Sequence, residues 1–199
     1  MRSILAAVLL MVAAPAMAQE PEVIHVPFSM PLLEGWRTET IRFPLSFAPS
    51  IPYRGIEELR FSPGMFTAES PEYWTYAFVW WVQDGTKLNL ERIERDLEAY
   101  FRGLTNAVSE GQFDASKIQH RAMLRIPKAD PMGGPDFVGR VQTFDAFVKR
   151  AAVELLVRGR TIHCKEKNHY AVFFELSPQP MSHPVWEDLN SIRAGFSCD

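Results

Sequence analysis

Apolar residues recur along this chain in two rhythms, and the rhythm predicts the element. Leu90, Ile93, Leu97, Phe101, Leu104 and Val108 return every three or four positions, which is one stripe on an α-helix. The helix is predicted over about 89–108. Asn89 is a suitable N-cap, and Glu91–Arg95 and Glu98–Arg102 stand four apart on the polar side, where opposite charges support a helix. A shorter C-terminal helix is predicted over about 184–195. Pro184 suits its first position, Val185, Leu189, Ile192 and Phe196 keep the spacing, and Gly195 terminates it.

Elsewhere the period is two. In 56–61, Leu59 and Phe61 share one face of a strand, with Glu58 and Arg60 on the other. The run YWTYAFVWWV over 73–82 places aromatic and β-branched residues on both faces, as in a central strand covered on two sides. Ile118, His120, Ala122, Leu124 and Ile126 alternate with Gln119, Arg121, Met123 and Arg125. Three further segments, 137–147, 152–164 and 169–176, read as a meander joined by short turns. Residues 83–86 and the Pro/Gly-rich 129–136 read as loops. Ahead of all these, Pro21, Pro27, Pro31, Pro44, Pro49 and Pro52 make 19–55 an extended segment, packed on the body through Trp36 and Ile41-Arg42-Phe43.

The expected fold is therefore α+β, a single domain over 19–199. Its core is an antiparallel sheet of about five to seven strands, with one long and one short helix packed on it. At the level of architecture this resembles the PsbP/Mog1-like sandwich of helices and antiparallel sheet. No motif carries the likeness, so it transfers no residues.

The N-terminus has a different pattern. Arg2 precedes an apolar run from Ile4 to Ala14, then Pro15 and the small-residue triplet Ala16-Met17-Ala18. That order predicts a cleavable secretory signal over 1–18, with the working chain starting at Gln19. The run is too short to span a bilayer, which takes about 20 apolar residues, and Pro15 would break it where an anchor must continue. No cysteine lies near the cleavage position, which argues against a lipid anchor, and no later segment is apolar enough to cross a membrane. The expectation is a soluble exported protein, periplasmic or else secreted.

Export changes the reading of the two cysteines, Cys164 and Cys198. In an oxidising compartment they are expected to pair, closing a loop of about 35 residues worth roughly 3–4 kcal/mol. Charge adds less: 21 basic residues stand against 24 acidic ones, with no basic run along the chain. This balance argues against nucleic acid, or an anionic membrane, as the main partner.

Chemical motifs are scarce. There is no G-x-S-x-G, H-E-x-x-H, C-x-x-C or P-loop. Glu57 and Glu58 are neighbours on a strand and point to opposite faces, so they cannot act as a carboxylate pair. His163, Cys164 and His169 offer at most two ligands on one side, short of the three or four that zinc takes. No metal, cofactor or catalytic constellation is expected. His120, on an apolar face, reads as a hydrogen-bonded core histidine.

The best binding candidates are Trp80 and Trp81, as stacking surfaces with a polar handle, together with Arg60 and with Asp145, an acid inside a strand. The functional expectation is a non-enzymatic periplasmic binding or envelope-associated module. Its partner would be a small ligand or an envelope protein. The alternatives are a hydrolase or transferase assembled from Asp145, His163, His169 and Arg60, and a subunit of an envelope complex.

Overall fold

The computed structural model describes residues 23–83, 88–128 and 134–198, so the predicted signal and the centres of the two loops lie outside the described residues. Among the described residues there are seven strands: β1 (Arg37–Arg42), β2 (Gly55–Phe61), β3 (Tyr76–Val82), β4 (Arg121–Arg125), β5 (Phe137–Asp145), β6 (Ala151–Cys164) and β7 (His169–Ser177). They form one sheet in the order β1-β2-β3-β7-β6-β5-β4, antiparallel at every pairing. Two α-helices, α1 (Leu90–Ser109) and α2 (Val185–Ala194), complete the α+β fold. None of the described helices is long and apolar enough to cross a membrane.

The sheet has a core on each face. On the first face Tyr76, Phe78 and Trp80 of β3 meet Phe174 of β7, Leu155 and Val157 of β6, and Ile93, Leu97, Tyr100 and Phe101 of α1. On the second, Ala77, Val79 and Trp81 of β3 and Phe173 of β7 meet Trp186, Leu189 and Ile192 of α2. Both faces of β3 are buried, as the aromatic run implies. The strand nevertheless begins at Tyr76 rather than 73, because Trp74 takes a left-handed backbone (φ 50°) and closes a turn.

Helix α1 starts where expected, with the Asn89 side chain accepting from Arg92 N–H at 2.9 Å. Glu91 and Arg95 lie 3.8 Å apart on its exposed side. Glu98 does not turn to Arg102. Instead Glu98 and Glu94 accept the N–H groups of Ala122 and Leu124, at 3.1 and 2.6 Å. These are outward-facing groups of the edge strand β4, and an unpaired strand N–H costs more than a solvated ion pair returns. Strand β4 is also shorter than the alternation suggests. It ends at Arg125, and Ile126, just before Pro127, is 74% exposed.

Cys164 and Cys198 form the disulfide, with Cα atoms 5.5 Å apart. It fastens the chain beyond α2 to the end of β6. Next to it, Ser29 and Ser197 exchange backbone hydrogen bonds at 3.0 Å, so the N-terminal segment is held at the same place.

Candidate functional site

Helix α1 packs mainly over β4 and β5 and reaches β3 through Tyr100, leaving the same face of β1 and β2 to be covered by loops. The first, 43–54, folds through turns in which Ala48 N–H meets Leu45 O and Ile51 N–H meets Ala48 O, both at 3.0 Å. It lies directly against α1 at Gly103, where a Cβ would come within 2.0 Å of Phe47 O. Glycine inside a helix costs about 1 kcal/mol against alanine, and this close approach is the reason for it here. The second loop, 62–75, is pinned by Ser62 Oγ–H donating to Glu72 O at 2.8 Å and by Trp74 N–H donating to Met65 O at 3.1 Å.

Between the two loops, the β1–β2 edge and α1 lies a cavity of about 640 Å³. Its walls are largely aromatic: Phe47, Phe61, Phe66, Trp74, Tyr76, Tyr100 and Phe147, with Leu59, Met65 and Leu104 between them. Glu39, Arg42 and Ser46 are its exposed polar members. The arrangement is concave and mostly apolar with polar groups at the rim, the usual build of a small-molecule site.

Behind this cavity sits a carboxyl group that is wholly buried. Glu57 shares the first face of β2 with Leu59 and Phe61 and is 0% exposed. Trp80 Nε1–H donates to its Oε1 at 3.1 Å, while Oε2 has no partner at hydrogen-bond geometry among the described residues. Burial is the main cause that pushes its pKa up to about 8; the Trp80 and Tyr100 side chains act against this, and the negative charge of Glu39 adds to it. Tyr76 and Tyr100, which line the cavity, feel Glu57 electrostatically, and burial together with that charge raises both phenols well above their ordinary value. Tyr76 and Tyr100 therefore line the cavity as neutral phenols, and the Glu57 carboxyl near them holds its proton at neutral pH.

The four residues singled out from the sequence do not converge. Trp80 lies on the first face against Glu57 and Phe174, with ring centroids 4.8 Å from the latter. Trp81 lies on the second, between Phe28 (5.0 Å) and His169 (5.1 Å), at the wall of a smaller polar cleft of about 330 Å³. Arg60 is also on the second face. It donates to Met30 O (2.7 Å), Pro31 O (2.9 Å) and Thr38 Oγ1 (2.7 Å) and pairs with Glu58, clamping the N-terminal segment to β2.

Asp145 ends β5 and accepts the N–H groups of Phe147, Val148 and Lys149 and the Tyr73 hydroxyl. Burial opposes its ionisation, but these hydrogen bonds outweigh it and hold the carboxyl below its ordinary range. His120 is buried, with Nδ1 2.9 Å from Thr143 Oγ1, and burial, reinforced by Arg102, pushes its pKa down to about 4. Cys164 pairs in register with His169 and His163 with Tyr170. Among the described residues no three His, Cys, Asp or Glu side chains gather as a metal site.

The cavity is not legible in the sequence, and Glu57 stands out there only as a neighbour of Glu58 on the opposite face. The signal for Glu57 was available, since it has the same parity as Leu59 and Phe61 and is therefore an acid in a core position. No family model, curated protein or solved structure matches this chain, so the chemistry of the site rests on its own residues.

Proposed function

We propose that the protein is an exported, non-enzymatic binding module that holds a neutral, ring-bearing apolar molecule in the cavity between α1, the β1–β2 edge and the two covering loops. The observation that carries this reading is the aromatic wall itself: seven aromatic side chains face one cavity of about 640 Å³ whose charged lining residues, Glu39 and Arg42, are exposed at its rim. Such a wall offers offset and edge-on stacking to a planar ligand, and each 100 Å² of ligand surface it covers contributes about 2.5 kcal/mol. The export half of the reading is supported by the N-terminal pattern and by the disulfide, a bond that persists in oxidising compartments.

The test uses the neutral probe N-phenyl-1-naphthylamine, excited by energy transfer from the tryptophans, Trp74 in the cavity wall among them. Saturable binding at one site is expected. Leu104→Trp, which fills the cavity, and Ser46→Trp, at its exposed rim, should each weaken it about ten-fold. Unsaturable binding, or binding indifferent to both substitutions, would refute the assignment. Native mass spectrometry of protein recovered from the periplasm should show a chain starting at Gln19 and carrying a co-purified apolar ligand.

A further inference from the structure

The second face of the sheet is covered only in part. Helix α2 and the N-terminal segment pack over β2, β3 and β7, while β4, β5 and the adjoining part of β6 keep that face open. Ala122, Leu124, Phe137, Val141, Leu155 and Val157 point into the first core, so strand alternation sends their neighbours to the open face. Those neighbours include five arginines: Arg121 and Arg125 on β4, Arg140 on β5, and Arg158 and Arg160 on β6.

Carboxylates also stand beside them: Glu94 and Glu98 are engaged at the β4 edge, and Glu187 lines a small pocket with Arg158 and Met181. Glu175 is buried and held by Arg158 at 2.9 Å and Arg193 at 3.3 Å; Glu154 lies 3.8 Å from Arg140; and Asp136 accepts Thr161 N–H at 2.8 Å. Arg121, Arg125 and Arg160 make no ion pair with a described residue. The protein as a whole carries a formal charge of −3, so this face is positive against the trend of the molecule.

Apolar groups lie among these cations. Met123, Val138, Leu156 and Met181 line an open groove of about 630 Å³ with Arg125, Arg140 and Arg158 around it. Met181 is 43% exposed. The basic face is invisible in the linear sequence because its members are dispersed over three strands. The pleat collects them.

We infer that the open face of β4–β5–β6 docks on an anionic bilayer surface, the arginines meeting lipid headgroup charge while Met181 enters the interface. An exposed aliphatic side chain among arginines, three of which make no ion pair with a described residue, suits a flat anionic surface, where each cation near the headgroups adds to the attraction. Strand addition by an acidic peptide is blocked at the neighbouring edge, because Glu94 and Glu98 already occupy the outward N–H groups of β4. This inference goes beyond the cavity and does not depend on it.

Vesicle flotation of the mature chain tests it. Binding is expected to phosphatidylcholine vesicles containing about one third phosphatidylglycerol, to weaken with added salt, and to be absent on pure phosphatidylcholine. The triple variant Arg121→Glu, Arg125→Glu, Arg140→Glu alters exposed residues only and should lower vesicle binding at least ten-fold. Met181→Ser should lower it less. Naphthylamine binding in the cavity should stay unchanged in all of these, which separates the two readings. Equal binding to neutral vesicles, or no effect of the triple variant, overturns the inference. So does arginine-dependent binding of poly-glutamate without vesicle binding, which would assign the face to an acidic polypeptide.

Discussion

Buried carboxylates in this protein are nearly all answered by a cation or by a fan of N–H groups. Glu58 has Arg60, Asp96 has Arg92 at 2.9 Å, Glu175 has two arginines, and Asp145 has three backbone N–H groups. Among the described residues Glu57 has one indole N–H and no cation. Its folded pKa of about 8 lies above the ordinary 4.5, so the folded state holds a proton that the unfolded chain releases. That sets the sign. Glu57 costs nothing below about pH 4.5, and its cost grows as pH rises toward 8, reaching on the order of 4 kcal/mol.

Glu57→Gln keeps an oxygen for Trp80 and removes the titration. The variant is expected to match the wild type near pH 4.5 and to melt at higher temperature than it at pH 8, a difference read by calorimetry at the two pH values. Burial also raises the Glu175 pKa, against the pull of Arg158 and Arg193, and so tilts stability the same way. The wild-type-minus-variant comparison isolates Glu57. Equal pH slopes in the two proteins would show that Glu57 ionises freely in the folded state.

At the scale of elements, periodicity carried most of the fold. The stripe from Leu90 to Val108 is α1, the Pro184–Gly195 frame is α2, and each alternating segment from 56 onward contains a strand. The boundaries shifted where local chemistry overrides alternation, at the left-handed Trp74 and at Pro127. What alternation could not supply was the use of the charged positions. Glu98 is a plain i,i+4 partner of Arg102 on a helical wheel. Only the placement of α1 beside an edge strand turns it, with Glu94, into a cover for β4.

The cysteine pairing was legible because two cysteines admit one bridge. Replacing both with serine removes a cross-link across a sequence separation of 34. The expected loss is roughly 3 kcal/mol, seen as a drop of about 6–12 °C in the melting temperature for a domain of this size. A melting temperature unchanged in the double variant would mean that the Ser29–Ser197 bridge and the α2 core hold this end unaided.

The whole molecule contains the two features that no single segment announces. The aromatic cavity draws its wall from β1, β2, β3, α1 and both covering loops, and the basic face draws its arginines from three strands. Each exists only once strand order and register are set, and those depend on which segments pair rather than on what each contains. Trp80 and Trp81 stood out in the sequence because they are adjacent and aromatic. Adjacency on a strand is what sends them to opposite cores.

The strand order has a consequence in time as well as in space. Strands β1–β2–β3 form one meander and β4–β5–β6–β7 another, each built from pairings between neighbours in sequence. The halves meet at a single seam, β3 against β7, where Phe78 and Phe174 pair with ring centroids 4.6 Å apart. Closing that seam spans the longest loop in the sheet, so the two meanders should form first and join last. Phe174→Leu should then speed unfolding about ten-fold while slowing folding less than about two-fold, as measured by stopped-flow in denaturant. An equal loss in the folding rate would place the seam in the nucleus instead. If the seam closes last, it is also the first to part, and the protein comes undone as two sheets rather than strand by strand.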